Sequence, residues 1–252
     1  MIRAIGVVLA LLVSCSPPDT HAGDLTQWLG ITGDDDRDAP RFNSGWPWVA
    51  VGRLDREDGA HCSATLVRRD VVLTAAHCVI DDRGSVVRPE SARFSAGFTN
   101  GEARATAYGR RITVAEDLEL DADERPKRLQ QDWAFIELDH QLYDGGWLRP
   151  VPMAPAAMAI KAGADRWRLS QAGYSGDQLD RLTRNRSCNV VGLSAGGHLL
   201  LHDCDATFGD SGSPILIDTD GEFSIVAVHS AIARHDGRVV GVAVVPPDDV
   251  HP

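Results

Sequence analysis

From Trp46 onward the chain is a succession of short apolar runs separated by turn residues. Runs at 48–52, 62–67, 71–74, 91–96, 103–114 and 133–138 predict a first set of β-strands. Runs at 166–172, 187–193, 198–202, 215–218, 223–229 and 239–245 predict a second set. Arg68-Arg69-Asp70 supplies a tight turn, and the Ala-rich stretch 153–163 predicts one short helix. Many short strands without a long amphipathic helix point to an all-β barrel architecture. The charged stretch 116–131 reads as an exposed loop. The stretch 140–150, with Asp144-Gly145-Gly146, is the expected crossing between an N-terminal half, 45–140, and a C-terminal half, 141–252. Val245-Pro246-Pro247 cannot continue a helix, so none is expected at the C-terminal end. No internal repeat stands out.

The first 22 residues carry a different pattern. Arg3 is followed by an apolar run from Ile5 to Val13 that is too short to span a bilayer, which is the layout of an export signal. Thr20-His21-Ala22 offers one processing site. Leu12-Val13-Ser14-Cys15 offers another, a bacterial lipobox in which Cys15 becomes the lipidated N-terminus; otherwise Cys15 is discarded with the signal. Either route places the mature chain outside the cytoplasm of a bacterium: periplasmic, secreted or lipid-anchored. Residues 23–44 are polar and acidic, with Asp34-Asp35-Asp36-Arg37-Asp38, and read as a solvated linker.

Composition narrows the picture further. The 252 residues are 43% hydrophobic and 24% charged, a globular balance. A formal net charge of −11 with no long Lys/Arg run argues against nucleic acid as a partner. Of five cysteines, Cys15 belongs to the signal, and the remaining even number suits two disulfides of an exported protein. Four cysteines allow three connectivities, and spacing does not choose among them. His61, Cys62, His77 and Cys78 form the one cluster with metal-ligand chemistry, yet no second tight Cys/His pair completes a zinc set. No metal or organic cofactor is expected.

Three stretches carry the candidate chemistry. Phe208-Gly209-Asp210-Ser211-Gly212-Ser213-Pro214 places a serine between glycines that let the backbone turn sharply. Leu73-Thr74-Ala75-Ala76-His77-Cys78 supplies a histidine, and Asp132 opens the apolar run ending at Leu138. Ser211 is the candidate nucleophile, His77 its general base and Asp132 the group that orients His77. Ser213 lacks the Asp-Ser-Gly setting. Asp117, Asp121, Asp123 and Asp139 lie in or beside polar surroundings, where a solvated carboxylate is the better reading. The N–H groups of Gly209 and Ser211 are the candidate oxyanion hole.

The order His, Asp, Ser and these motifs resemble the chymotrypsin-like serine peptidases, over residues from about 47 to the end. Cys204-Asp205-Ala206-Thr207, Ser211-Gly212-Ser213-Pro214, Ala172-Gly173-Tyr174 and Val228-His229-Ser230 resemble the bacterial branch related to glutamyl endopeptidases. The resemblance implies two antiparallel six-stranded barrels with the active site between them, protein or peptide substrates, and disulfides Cys62–Cys78 and Cys188–Cys204. It implies a cation beside Asp210. No Arg-Ile-Val-Gly-Gly activation site precedes the body, so Arg37 is the candidate substitute. Asp205, six residues before Ser211, matches the carboxylate that selects basic residues in trypsin-like enzymes, whereas His229 matches a histidine that contacts acidic ones. Pairing of Asp205 with His229 is the third option. Ser230-Ala231 stands on the adjoining substrate-binding wall where Trp-Gly is common. The preference read from these residues is acidic. The alternative reading of the whole chain is a catalytically silent binding or adhesion module on the same fold.

Overall fold

The computed structural model describes residues 30–40, 45–143 and 146–248. The expected export signal, with Cys15, lies outside them. The first six strands are β1 (Val51–Arg56), β2 (His61–Arg68), β3 (Val71–Thr74), β4 (Ala92–Ala96), β5 (Ala105–Val114) and β6 (Ala134–Leu138). They close into an antiparallel barrel in the order β1-β2-β3-β6-β5-β4. One helix, α1 (Ala156–Ala164), precedes β7 (Arg168–Gly173), β8 (Thr183–Ser194), β9 (Leu199–His202), β10 (Pro214–Thr219), β11 (Glu222–His235) and β12 (Arg238–Val244). These close into a second barrel, β10-β11-β12-β9-β8-β7. Closure removes the unpaired edges that an open sheet would expose.

Alternation of inward apolar residues builds each interior. Leu54, Leu66, Phe94, Ile136 and Leu138 fill the first barrel, and Leu169, Leu200, Ile215, Val226 and Ala243 fill the second. Each such side chain contributes about 1.5–3 kcal/mol by leaving water. Leu216, Ile225, Val228 and Val244 of the second barrel pack into the first barrel's cluster, so the seam between barrels is apolar. The chain crosses this seam at 151–154: Val151 N–H donates to Leu66 O (2.9 Å) and Ala154 N–H to Ile225 O (2.8 Å).

The structure departs from the sequence pattern in three places. Residues 48–50 form a 3₁₀ turn, and β1 starts at Val51 and continues to Arg56. Arg53 and Asp55 pair with each other on the outer side at 2.7 Å, which hides a strand inside a charged stretch. β11 runs on from His229 to His235, held by backbone pairing to β12 through His235↔Arg238, although its last residues are exposed. A pattern of buried residues cannot mark such an end.

Residues 30–40, read as a solvated linker, lie against the second barrel. Asp38 and Arg184 on β8 exchange backbone hydrogen bonds in both directions at 2.9 Å. The Asp38 carboxylate also pairs with the side chains of Arg184 and Arg186. Of the acidic residues that suggested solvation, Asp38 finds its cation across a separation of 146 residues.

Candidate active site

Register brings the first two groups together. Thr74 at the end of β3 pairs with Ala134 at the start of β6, so the chain after one and before the other emerge at the same rim. His77 follows on a 3₁₀ turn, Ala76–Val79, and Asp132 caps the turn Leu129–Gln131. Asp132 therefore precedes its strand instead of opening it. The Cys62–Cys78 disulfide ties the His77 turn to β2, with Cα atoms 6.1 Å apart, and Cys188–Cys204 joins β8 to the segment after β9. The bond between Cys62 and Cys78 consumes the thiolates a metal ion would need at His77.

The Asp132 carboxylate is 1% exposed and accepts three hydrogen bonds. Oδ1 takes the His77 backbone N–H (2.8 Å), and Oδ2 takes His77 Nδ1–H (2.8 Å) and the Ser230 hydroxyl (2.6 Å). Burial opposes its charge; the His77 ring and these donors outweigh burial and hold the carboxyl below its usual range. An ionised Asp132 keeps the proton on His77 Nδ1 and leaves Nε2 with a lone pair. Ser230, read as a substrate contact, spends its hydroxyl on Asp132 instead. Asp117, Asp121 and Asp139 bond Arg128, backbone N–H groups or His140 through their carboxylates, and Asp123 is exposed and gives its N–H to Asp121.

Ser211 lies three residues before β10, in a cleft of about 570 Å³ that it shares with His77, Cys62 and Gly209. Gly209 and Gly212 hold φ of +94° and +83°. A Cβ at Gly209 would stand 2.4 Å from Tyr174 O, and one at Gly212 would stand 2.1 Å from Ser63 O, so only glycine fits either position. Ser63 N–H donates to Ser211 O (2.8 Å), and Gly212 N–H to His229 O (2.8 Å). The loop is thus anchored to both barrels.

The two candidate oxyanion donors are oriented through the carbonyls of their own peptide planes. Phe208 O accepts Gly176 N–H, and Asp210 O accepts Ser213 N–H (2.9 Å) and the Ser213 hydroxyl (2.6 Å). In a trans peptide the N–H points opposite to the C=O. The Gly209 and Ser211 N–H groups therefore point away from these partners, and neither has an acceptor among the described residues. Phe208, 73% exposed, forms a lip of the cleft.

Asp210 is buried without a cation partner among the described residues. Its Oδ2 accepts Thr207 N–H (2.7 Å) and the Ser175 hydroxyl (2.8 Å). Burial dominates and pushes its carboxyl up to about 6. Arg37, the expected partner, instead pairs with Asp35 (2.8 Å) and Asp177 (2.6 Å). Asp177 reaches the Asp210 loop through Thr207, and Arg37 acts on Asp210 by electrostatic attraction without a direct pair. A raised native pKa means that the folded state binds the Asp210 proton more tightly than the unfolded chain. Stability from this group is present at acid pH, declines as pH rises from the ordinary value of 3.8 through about 6, and is level above. The loss amounts to about 3 kcal/mol. The stability of wild type minus that of Asp210→Asn, measured by urea unfolding between pH 4 and 7, is expected to fall by this order and then flatten. A difference independent of pH would show that Asp210 does not titrate in this range.

Asp205 does not face the cleft. Its carboxylate accepts Thr32 N–H (2.8 Å) and Asp36 N–H (3.3 Å) from the 30–40 segment and lines neither cavity beside Ser211, so it is not placed for the basic-residue role read from its offset. Nor does Asp205 pair with His229. His229 meets His202, a residue whose part was invisible in sequence because nothing local distinguishes it at the end of β9. Cys204 N–H donates to His202 Nδ1 (3.2 Å), so His202 carries its proton on Nε2 and donates to His229 Nδ1 (3.1 Å). His229 then bears its own proton on Nε2. Burial, and next the His77 ring, depress His229 to about 4, and burial holds His202 well below its usual value. Both are neutral near pH 7. His229 lines a cavity of about 300 Å³ with Ser211, Thr207, Phe208, Ala231 and Ile232.

Three comparisons bear on this geometry. The family model described as a trypsin-like peptidase domain matches residues 62–228. Curated relatives include transmembrane protease serine 7 of Rattus norvegicus, 25% identical over 203 residues, covering 73% of this chain and 23% of that protein. The Homo sapiens protein of that name is 25% identical over 207 residues, covering 75% and 24%. The chain thus spans about a quarter of the length of these relatives. Among solved structures, a Glu endopeptidase in complex with MPD superposes with TM-score 0.66 at 20% identity, over 86% of this chain and 94% of that one.

Proposed function

The chain belongs to the trypsin-like peptidase family, and on that premise we propose that it is an exported serine endopeptidase acting through His77, Asp132 and Ser211. One observation carries the reading: Asp132 receives His77 Nδ1–H, which leaves Nε2 as a base on the cleft that Ser211 lines. Ser211 Oγ attacks the scissile carbonyl while His77 Nε2 takes its proton, and Asp132 stabilises the imidazolium. The Gly209 and Ser211 N–H groups receive the oxyanion. His77 returns the proton to the departing amine, and water then repeats the sequence on the acyl-enzyme. Two disulfides support an exported, oxidising setting.

The substrate side chain we infer at the cleaved residue is acidic. The cavity beside Ser211 offers the His229 N–H as a donor for a carboxylate, and the Asp205 carboxylate is engaged elsewhere. Fluorophosphonate treatment of the purified mature protein, followed by peptide mass spectrometry, is expected to find the label on Ser211. A folded, disulfide-bonded wild type that takes no label would favour the binding-module reading. For specificity, His229→Gln is expected to lower kcat/KM for Glu relative to Leu at the cleaved residue by about 10–100-fold, the worth of a hydrogen bond to a charged group. An unchanged Glu-to-Leu ratio would remove His229 from substrate recognition.

A further inference from the structure

Resting on the peptidase reading, we propose that residues 30–40 are a positioning strap for the oxyanion donors, with Arg37 as its principal residue. The strap docks on the start of the loop that leads to Ser211 and on the 175–177 segment beside it. On one side Ala206 N–H donates to Gly30 O (3.2 Å), and Thr32 and Asp36 N–H groups hold the Asp205 carboxylate. On the other, the Arg37 guanidinium, 1% exposed, grips both carboxylate oxygens of Asp177 at 3.1 and 2.6 Å.

From Asp177 a short series of contacts leads to the donors. Asp177 Oδ1 accepts the Thr207 hydroxyl (3.0 Å), and Thr207 Oγ1 in turn accepts Gly176 N–H (3.1 Å). Gly176 N–H also donates to Phe208 O, the bond that orients the Phe208–Gly209 peptide and with it the Gly209 N–H. Ser175, the next residue back, holds Asp210 Oδ2 at 2.8 Å. Residues 175–177 thus form a cradle for the loop 207–211, and Arg37 fastens that cradle from outside the barrel. Among the described residues no cation pairs directly with Asp210, and the clamp on its loop acts one layer away, on Asp177. The Arg37–Asp177 pair is bidentate, with the guanidinium covered and the carboxylate 35% exposed, geometry that fixes how the two groups face each other. None of Arg37, Asp177 or Thr207 Oγ1 is placed to touch the reacting atoms; they act through the Phe208 peptide.

The test compares wild type with Arg37→Ala, Arg37→Lys, Asp177→Asn and the Arg37→Ala/Asp177→Asn double variant. Steady-state kinetics on one peptide are combined with fluorophosphonate titration of Ser211, so that kcat is expressed per labelled site. Arg37→Ala and Asp177→Asn are expected to lower kcat about tenfold or more, less than the about 100–1,000-fold cost of losing an oxyanion donor outright. KM should stay within about threefold, because the loss belongs to the transition state. Labelling should reach full stoichiometry but slowly. The double variant should be no worse than the worse single one, because both cut the same series of contacts. Lys at position 37, with one ammonium where Arg has a fork, should recover part of kcat.

A strap that is only structural gives a different result. Arg37→Ala would then have a reduced labelled fraction with wild-type kcat per labelled site, and this overturns the proposal. A raised KM with unchanged kcat also overturns it, by making the strap part of substrate binding. Absence of wild-type labelling overturns the peptidase reading and the strap with it; wild-type labelling with unaffected variants overturns the strap alone.

Discussion

Ser211→Ala is expected to abolish peptide hydrolysis and fluorophosphonate labelling while leaving the fold intact. Its Oγ makes no hydrogen bond among the described residues, and its anchoring to the rest of the molecule runs through its backbone carbonyl, which accepts Ser63 N–H at 2.8 Å. Removing the hydroxyl therefore takes away the attacking atom and little else. The loss in kcat should be on the order of a million-fold, leaving a residue of catalysis from the donors of the oxyanion hole and from substrate binding. Urea unfolding should place the variant within about 0.5 kcal/mol of wild type. The two readouts must be taken together. Hydrolysis that survives the substitution at more than a few per cent would mean that another group is the nucleophile. Ser213 is a poor candidate: its hydroxyl is buried, donates to Asp210 O and accepts Gln171 Nε2–H at 2.9 Å.

Asp132→Asn should cost about 10⁴-fold in kcat with the nucleophile and the disulfide frame untouched. The carboxylate accepts three hydrogen bonds and donates none. An amide in its place can accept on one side, where His77 N–H sits, but presents N–H on the other, where His77 Nδ1–H and the Ser230 hydroxyl already donate. The imidazole can relieve that clash by moving its proton to Nε2, which removes the base facing Ser211. Burial of Asp132 sharpens the effect, because no water replaces the lost acceptor. A variant with near-native far-UV and near-UV circular dichroism and kcat above about one-hundredth of wild type would contradict this assignment, since loss of the tautomer alone accounts for about 10⁴. Ser230→Ala tests the same carboxylate more gently, through one hydrogen bond of about 1.5–3 kcal/mol to a charged group.

The 30–40 segment and the cavity beside Ser211 bear on each other. Asp205 lies in the loop before Ser211, yet its oxygens face the strap and it does not line that cavity, whose polar wall includes His229, Ser230, Thr207 and Arg125. Residues Thr32 and Asp36 thus hold the Asp205 carboxylate away from that cavity. Changes in Thr32–Arg37 are expected to act on rate through Arg37 and on substrate charge through Asp205, two readouts that the kcat and Glu-to-Leu comparisons separate.

Much of the molecule is legible in local sequence. Short apolar runs bounded by turn residues determine strands wherever one face is buried, which is why ten-odd runs predicted an all-β molecule whose strands close into two barrels. The glycines around Ser211 are equally local, because positive φ excludes a side chain at Gly209 and Gly212 whatever surrounds them. His77 and Asp132 were readable as candidates from their flanking residues, although Asp132 sits on a 3₁₀ turn and not in the strand its neighbours form.

The partners of charged and polar side chains were decided only by tertiary structure. Asp205 and His229 each had two or three plausible roles in sequence, and what separated them was distance to residues far along the chain: Thr32, 173 positions from Asp205, and His202, 27 positions from His229. Ser230 went to Asp132 across the seam between barrels, 98 positions away. Arg37 went to Asp177, 140 positions away, and not to Asp210. Burial of apolar residues depends on pattern along one segment and can be read there. A hydrogen bond depends on the meeting of two segments to within about 3 Å, and only the closed barrels bring those segments together.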